Sequence, residues 1–370
     1  MTATVAFISH TDSASGAEAV LLDLARRAQA DGHAVVVACP TGELSARLPT
    51  GVGHLPLPKL GLSADTGWRR GVAMLVLLAR WVRAAVALRG LCASPSTAVV
   101  VNSLFALPAV RLTLRPRSST WLVHDTVTER KQRLIVRFSA RALRSAVAVS
   151  HATAEPLCGF GFPVNVAYNG VAVGPRGNLT HSDPPVIGVL AKLTPWKGHR
   201  VLLAALSELP GVEVEFAGDH FPGEQDYVDE LHRLADAPEV AGRVRFLGRS
   251  DAVACLARWT ALVSPSTGPE AGPLGVLEAM AAGTPVIATD HGGSAEYLSG
   301  GAGVLVPPGD PGALAVAIRA VLGDAALREA LAAEAYARVR DRHDHTVTAP
   351  EMLRLLIPDR SPVATITGTP

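Results

Sequence analysis

Several things are scarce in this sequence, and each shortage excludes a class of protein. Only four cysteines occur in 370 residues, Cys39, Cys92, Cys158 and Cys255, separated by 53, 66 and 97 positions. No C-x-x-C pair, zinc spacing or dense disulfide framework is present, as expected of a reduced, cytoplasmic chain. Net charge is also scarce: 34 Lys and Arg against 33 Asp and Glu leave +1. That balance gives no global field to capture nucleic acid, so no nucleic-acid partner is expected. The longest apolar run, Gly71 to Ala79, is far short of the roughly 18–20 residues that a membrane span needs. The opening Met1–His10 lacks the basic region and small-residue cleavage site of a signal peptide, so the expectation is a soluble chain without a leader. A G-x-S-x-G elbow and a Walker loop are both missing.

What is present is an apolar, folded chain. Hydrophobic residues make up 48% and the mean hydropathy is +0.27, which excludes disorder over most of the length. The length suits two domains. Short apolar runs, Thr4–Ile8, His33–Ala38, Ala98–Val101, Thr120–Val123 and Ala146–Val149, alternate with helical patterns such as Ala17–Asp31. Continuous apolar strands separated by helices predict a parallel sheet covered on both faces, hence an α/β fold. The pattern breaks over 171–185, which holds Gly174, Pro175, Gly177, Pro184 and Pro185, and reads as a linker. It then restarts, with strands predicted at 186–191, 212–217, 243–247, 261–264, 285–289 and 303–306. Helices are predicted near 198–208, 224–235, 251–258, 273–282 and 311–322. The reading is therefore two doubly wound domains, 1–170 and 186–340, facing a cleft at the carboxyl ends of both sheets. Residues 341–370 read as a C-terminal helix and tail, frayed from Ile357 onward.

The densest chemical signal runs from Pro265 to Ala288 and contains Glu270 and Glu278. A strand leads into a Gly/Pro loop, and a helix starts near Pro273, a favoured first helical residue. Free N–H groups at a helix start seat an anion, and carboxylates beside them accept hydrogen bonds from sugar hydroxyls. Taken singly, each glutamate reads as an ordinary surface residue. A second signal is Lys192 and Lys197 in a loop after a strand, followed by Gly198. Two ammonium groups there would neutralise a diphosphate, and the chain has only four lysines to place. In the first half, His10–Glu18 joins a strand to a helix, and Gly16 allows close backbone approach of a ligand. This loop is not G-x-G-x-x-G, so the dinucleotide fingerprint is missing. His124 ends the Thr120–Val123 run at the lip of the predicted cleft, where a structural, hydrogen-bonded role is the plainer reading.

Three further features carry less. His343-Asp344-His345 could hold a metal, but residues at i and i+2 of one helix do not share a face. Asn178-Leu-Thr180 matches a glycosylation sequon by pattern only. The stretch 69–89 mixes apolar residues with Arg69, Arg70, Arg80, Arg83 and Arg89. It could make a weak peripheral contact with a membrane surface, although a helix packed on the sheet with arginines at its solvent edge is the plainer reading.

Over residues 4 to 340 these features resemble the GT-B fold glycosyltransferases of family 4, retaining enzymes that use nucleotide-diphosphate sugars without a metal. The E-x7-E motif appears as Glu270 and Glu278, continuing Ala-Met-Ala-Ala-Gly-Thr-Pro-Val. Ser15-Gly16-Ala17-Glu18 resembles the family's GGAE loop, and Val149-Ser150, Tyr168-Asn169-Gly170-Val171, Gly292-Gly293 with Glu296, and Pro308-Gly309-Asp310 support the match. The resemblance implies that Glu278 binds the ribose hydroxyls and Glu270 the donor sugar, with the amides of Ala271, Gly272 and Leu274 holding sugar and β-phosphate. It implies a diphosphate role for Lys197 and Lys192, a contact of His124 with the donor sugar near the reacting carbon, and closure of the Gly16 loop over diphosphate and acceptor. The first domain would take the acceptor and the second the nucleotide sugar. No cofactor or metal is expected; the co-substrate is a UDP-sugar first and a GDP-sugar next. No D-x-D pair occurs in the sequence. The mechanism implied is front-face displacement, in which the leaving phosphate helps deprotonate the acceptor, so catalysis is positioning and charge stabilisation.

Two positions depart from the family pattern. Lys192 stands where the family usually has Arg, and Lys cannot make the bidentate fork to phosphate. Glu270 is followed by Ala-Gly-Pro rather than Gly-Phe-Gly, and Pro273 lacks an N–H. The expected function is transfer of a sugar to a small-molecule or lipid-linked acceptor. A GT-B nucleotide-sugar 2-epimerase and a non-catalytic nucleotide-sugar-binding protein are the alternatives.

Overall fold

A computed structural model describes residues 3–61, 68–177, 182–221 and 223–357. The apolar runs become strands of two all-parallel sheets, because each run is buried on both faces by helices. The first sheet contains β1 (Thr4–Ile8), β2 (Ala34–Cys39), β3 (Gly53–Pro56), β4 (Thr97–Val101), β5 (Ser119–Val123), β6 (Leu143–Ala148) and β7 (Val164–Val166), in the order β3-β2-β1-β4-β5-β6-β7. The second contains β8 (Val186–Leu190), β9 (Glu213–Ala217), β10 (Val244–Gly248), β11 (Ala261–Ser264), β12 (Val286–Thr289) and β13 (Val304–Val306), ordered β10-β9-β8-β11-β12-β13. Strand order reverses between β1 and β4 in one sheet and between β8 and β11 in the other. At such switch points the loops leaving the strands diverge and open a crevice. This is the GT-B arrangement of two Rossmann-like domains.

Each sheet is covered on both faces. In the first domain Val5, Phe7, Val35 and Val37 pack under the Gly16–Ala30 helix, while Ile8, Val99, Trp121 and Val123 pack against helices on the opposite side. The Trp68–Ala93 helix departs from the plainer sequence reading. Leu77, Ala84, Leu88 and Cys92 are buried on the sheet side, but Val72, Leu75, Val82 and Val86 on the other stripe are 50%, 69%, 50% and 66% exposed. Its stretch Gly71–Ala93 spans 23 residues and contains an 18-residue window of mean hydropathy 1.8, long and apolar enough to cross a membrane. Counting the run only to Ala79 missed this, because Arg80 interrupts the run but not the helix.

The chain crosses between the domains twice. The described part of the linker lies along the Ala325–Arg342 helix, through Tyr336 Oη to the Gly174 carbonyl at 2.8 Å and an Arg176–Glu329 ion pair at 2.7 Å. Returning, the chain pairs backbone to backbone with the linker, Val171 N to His343 O and His345 N to Val171 O, each 2.9 Å. The His345–Leu356 helix then packs on the first domain, burying Met352, Leu353 and Leu356 with Val5, Phe7 and Leu21. The expected frayed end and the Asn178-Leu-Thr180 sequon fall outside the described residues, apart from Ile357, which ends this packing.

Candidate active-site cleft

Loops leaving the four switch-point strands build the cleft walls: 9–16 after β1, Asn102 after β4, 191–198 after β8 and 265–273 after β11. His124, after β5, joins them. The cleft holds about 830 Å³, and Gly16, His124, Lys192, Lys197, Glu270, Ala271, Gly272, Leu274 and Glu278 all line it. Residues far apart in sequence are thus brought to one surface: Gly16 and Leu274 are 258 positions apart, and a Cβ built on Gly16 would lie 3.6 Å from Leu274 Cδ1.

At its centre Lys197 Nζ donates to both carboxylate oxygens of Glu270 at 2.6 Å. Ser266 Oγ donates to Oε1 at 2.5 Å, and Glu270 is only 5% exposed. The carboxylate is fixed by three hydrogen bonds from two donor groups before any ligand arrives. Glycines bring these loops together. Gly198 has φ +73°, and a Cβ there would lie 1.8 Å from the Pro265 carbonyl oxygen, so the Lys197 loop can touch the Glu270 loop only as glycine. Gly292 and Gly293 pass under the same loop, where a Cβ would lie 2.3 Å from Glu270 O and 2.5 Å from Ala271 O.

The Leu274–Ala282 helix begins one residue later than expected: Pro273 is its N-cap, not its first helical residue. Its missing N–H therefore lies outside the helix. The first bond of the helix runs from Leu277 N to Pro273 O, which leaves the amides of Leu274, Gly275 and Val276 without intrahelical partners at the cleft wall. Glu278 is half-buried in the same wall, and burial pushes its carboxyl above the usual range. Lys192 also lines the cleft, but its ammonium lies 4.4 Å over the Phe221 ring rather than converging with Lys197 on one partner.

On the opposite wall His124 Nε2 lies 3.1 Å from Asn102 Oδ1, and Asn102 Nδ2 donates to the Ala17 carbonyl at 3.2 Å. The second bond fixes which way the amide points, so Nε2 carries the proton and Nδ1 is left as an acceptor. Burial pushes the ring's pKa down to about 4, which keeps it neutral near pH 7. Glu18, 2% exposed, accepts from Ser9 Oγ at 3.1 Å and from Ser15 Oγ, and so shapes the loop around Gly16. Burial raises its carboxyl pKa.

Sequence reasoning missed two features. Asn102 orients His124, and its signal was its place just past the β4 run. Arg249 pairs with Glu43 across the cleft mouth, and Glu43 Oε2 also accepts from Ala14 N at 3.2 Å. The Arg249 guanidinium pulls the Glu43 carboxyl down to about 2. His343-Asp344-His345 is corrected. His343 caps one helix and Asp344 starts the next, so they share no helix. His343 is 4% exposed, 5.3 Å from the Tyr168 ring and 4.8 Å from Tyr297. No group of three or more His, Cys, Asp or Glu side chains among the described residues is placed to hold a metal. Glu296 lies beside this hinge and spans the domains, accepting from His151 N at 2.9 Å, Ala152 N at 2.8 Å and Tyr168 Oη at 3.0 Å.

Comparison with known proteins gives the same architecture. The family model "Glycosyltransferase Family 4" matches residues 14–174, and "Glycosyl transferases group 1" matches 175–338. A lipopolysaccharide core biosynthesis glycosyltransferase, LpsE of Rhizobium meliloti, is 36% identical over 155 residues, 41% of this chain and 44% of that protein. A phosphatidyl-myo-inositol mannosyltransferase of Mycolicibacterium smegmatis is 38% identical over 169 residues, 44% of this chain and 42% of its own length. The match thus spans less than half the length of these curated relatives. The crystal structure of Anabaena HepE in complex with UDP-glucose superposes with a TM-score of 0.78 at 24% identity, covering 96% of this chain and 99% of that one. The two family models run end to end from residue 14 to 338, one on each side of the linker, and the chain belongs to the family 4 glycosyltransferases of the GT-B fold.

Proposed function

We propose that this chain transfers a sugar from a nucleoside-diphosphate sugar to a small-molecule or lipid-linked acceptor, with retention at the anomeric carbon and without a metal, in the cytoplasm. The observation that carries the reading is the Lys197–Glu270 pair, buried in the interdomain cleft beside the free amides of a helix start. Such a site offers one cation and a set of N–H dipoles to a diphosphate, and a fixed carboxylate to sugar hydroxyls.

Each residue has a task under this reading. Lys197, assisted by Lys192, neutralises charge as it builds on the leaving diphosphate, and the amides of Ala271, Gly272 and Leu274 hold sugar and β-phosphate. Glu270 holds the sugar hydroxyls, and Glu278 holds the ribose. Neutral His124 accepts a sugar hydroxyl at Nδ1 while Asn102 fixes its ring. Gly16 gives the first-domain loop room to approach the diphosphate. The acceptor hydroxyl enters on the face from which the diphosphate departs and passes its proton to the leaving phosphate, while the new glycosidic bond forms as the sugar–phosphate bond breaks. The protein's part is to hold the two partners in register.

A UDP-sugar is the first donor to test and a GDP-sugar the next; the UDP-glucose complex of the structural relative supports that order. Two relatives are named for lipopolysaccharide core and for phosphatidyl-myo-inositol, which supports a lipid-linked acceptor. The deciding experiment is a thermal-shift panel with the UDP, GDP, ADP and TDP series. A ligand at about 100 times its Kd adds roughly 2.7 kcal/mol of stability. A selective shift that Lys197→Ala and Glu270→Ala both abolish is the expected result. No shift with any nucleotide, or one that both variants retain, overturns the reading.

A further inference from the structure

The near-neutral total hides a strong charge asymmetry. Residues 66–154 hold fourteen Lys and Arg against only Asp125 and Glu129, a net +12 in a chain of total charge +1, which leaves −11 for the rest. This segment supplies the helices Trp68–Ala93, Leu107–Leu112 and Arg130–Ser139, all packed on the same side of the first sheet. Leu107–Leu112 contacts both of the others, so they form one continuous layer.

The outer face of that layer is apolar and cationic together. Val72, Leu75, Ala79, Val82 and Val86 follow at three- and four-residue steps, forming one exposed stripe along the longest helix. Arg80, Arg83 and Arg89 are exposed beside it, and the helix has no acidic residue. On Arg130–Ser139, Leu134 and Phe138 are 66% and 49% exposed among Arg130, Lys131, Arg133 and Arg137. Arg133 lies 5.5 Å over the Phe160 ring and Arg111 5.7 Å over Phe138. Aliphatic side chains exposed singly need no explanation, but an aligned stripe rimmed by cations does.

We propose that this face of the first domain docks on an anionic lipid bilayer, with the aliphatic stripe at the headgroup level and the arginines on lipid phosphates. The charge selects the occupant. A second copy of the same face would oppose one strongly cationic segment with another, and nucleic acid would leave the aliphatic stripe uncovered. A bilayer of anionic lipid satisfies both features. The helix lies along the surface rather than crossing it, because Leu77, Ala84, Leu88 and Cys92 are committed to the domain core. Docking would also fix the cleft relative to the lipid: Trp81 Nε1 of this helix donates to the Phe105 carbonyl at 2.9 Å, and Phe105 lines the cleft.

The test uses the full chain without donor, so its result is independent of the transferase reading. The chain is sedimented with vesicles of phosphatidylcholine alone and of equal parts phosphatidylcholine and phosphatidylglycerol. It is expected to sediment with the anionic vesicles only, and less so as salt is raised. A basic side chain near an anionic surface is worth roughly fivefold in partition. Arg133→Glu with Arg137→Glu should therefore lower it by more than about tenfold, as should Leu75→Glu with Val86→Glu, with the melting temperature unchanged in both. Absence from anionic vesicles, or partition unaltered in both variants, overturns the proposal. So would a dimer in light scattering that Leu75→Glu with Val86→Glu converts to monomer, or tighter binding to duplex DNA than to vesicles.

Discussion

Under the proposed function the Lys197–Glu270 pair has two separable roles, one in stability and one in donor binding, and replacing its members singly and together distinguishes them. Lys197→Met removes the cation and leaves Glu270, 5% exposed, with Ser266 as its remaining donor among those that now fix it. Breaking a buried pair by removing one partner costs about 3–5 kcal/mol, whereas replacing both with neutral groups of similar volume is close to neutral. Because this pair lies on the wall of an open cleft, the lower end applies, about 3 kcal/mol, which for a unit of this size lowers Tm by roughly 6–12 °C. Lys197→Met with Glu270→Gln should recover most of that loss, to within about 1 kcal/mol of the parent. Neither variant should bind UDP in isothermal titration, because the diphosphate cation is gone from both. Denaturant unfolding and calorimetry measure the cycle directly. A single variant as stable as the parent, or a double variant no better than the single, would refute the electrostatic account; UDP binding by the double variant would refute the assigned role.

Four more outcomes are expected. Glu278→Ala should raise the donor KM by roughly 10- to 100-fold, the worth of a charged hydrogen bond, while kcat changes little; steady-state kinetics at varied donor checks this. His124 should stay neutral to about pH 5 in NMR titrations of ring signals. Its folded pKa lies near 4, below the ordinary 6.5, so its contribution to stability is full above pH 6.5 and is lost as pH falls toward 4. Asn102→Ala should leave donor KM unaltered and lower kcat, since the ring loses its orientation rather than its place. Glu296→Ala should remove three interdomain hydrogen bonds and loosen the hinge, read as a larger radius of gyration by solution scattering.

Much of the architecture was legible because parallel strands buried on both faces leave continuous apolar runs. β8 and β11, predicted at 186–191 and 261–264, are such runs and carry the site loops. β3, Gly-His-Leu-Pro, and β7, Val-Asn-Val, left no such run: both are short edge strands with little burial. The site glutamates and Lys197 were legible because their flanking glycines and prolines make a dense local pattern. Asn102 and the Arg249–Glu43 bridge were not, since each depends on a partner far along the chain and neither changes local periodicity. The Trp68–Ala93 helix misled for another reason. One apolar stripe packs on the sheet and a second faces outward, and composition alone cannot tell them apart.

The His345–Leu356 helix has a consequence for the order in which the protein is completed. Met352, Leu353 and Leu356 belong to the core that includes β1, although more than 330 residues of chain separate them from Ile8. The domain that leaves the ribosome first therefore waits for the last described helix before its core is closed. The second domain has all its strands and the Ala325–Arg342 helix by residue 342 and can pack while its neighbour is still open. A C-terminal truncation that spares every cleft residue would still open the first domain, uncovering the Gly16–Ala30 helix, β5 and β6, against which the missing helix packs.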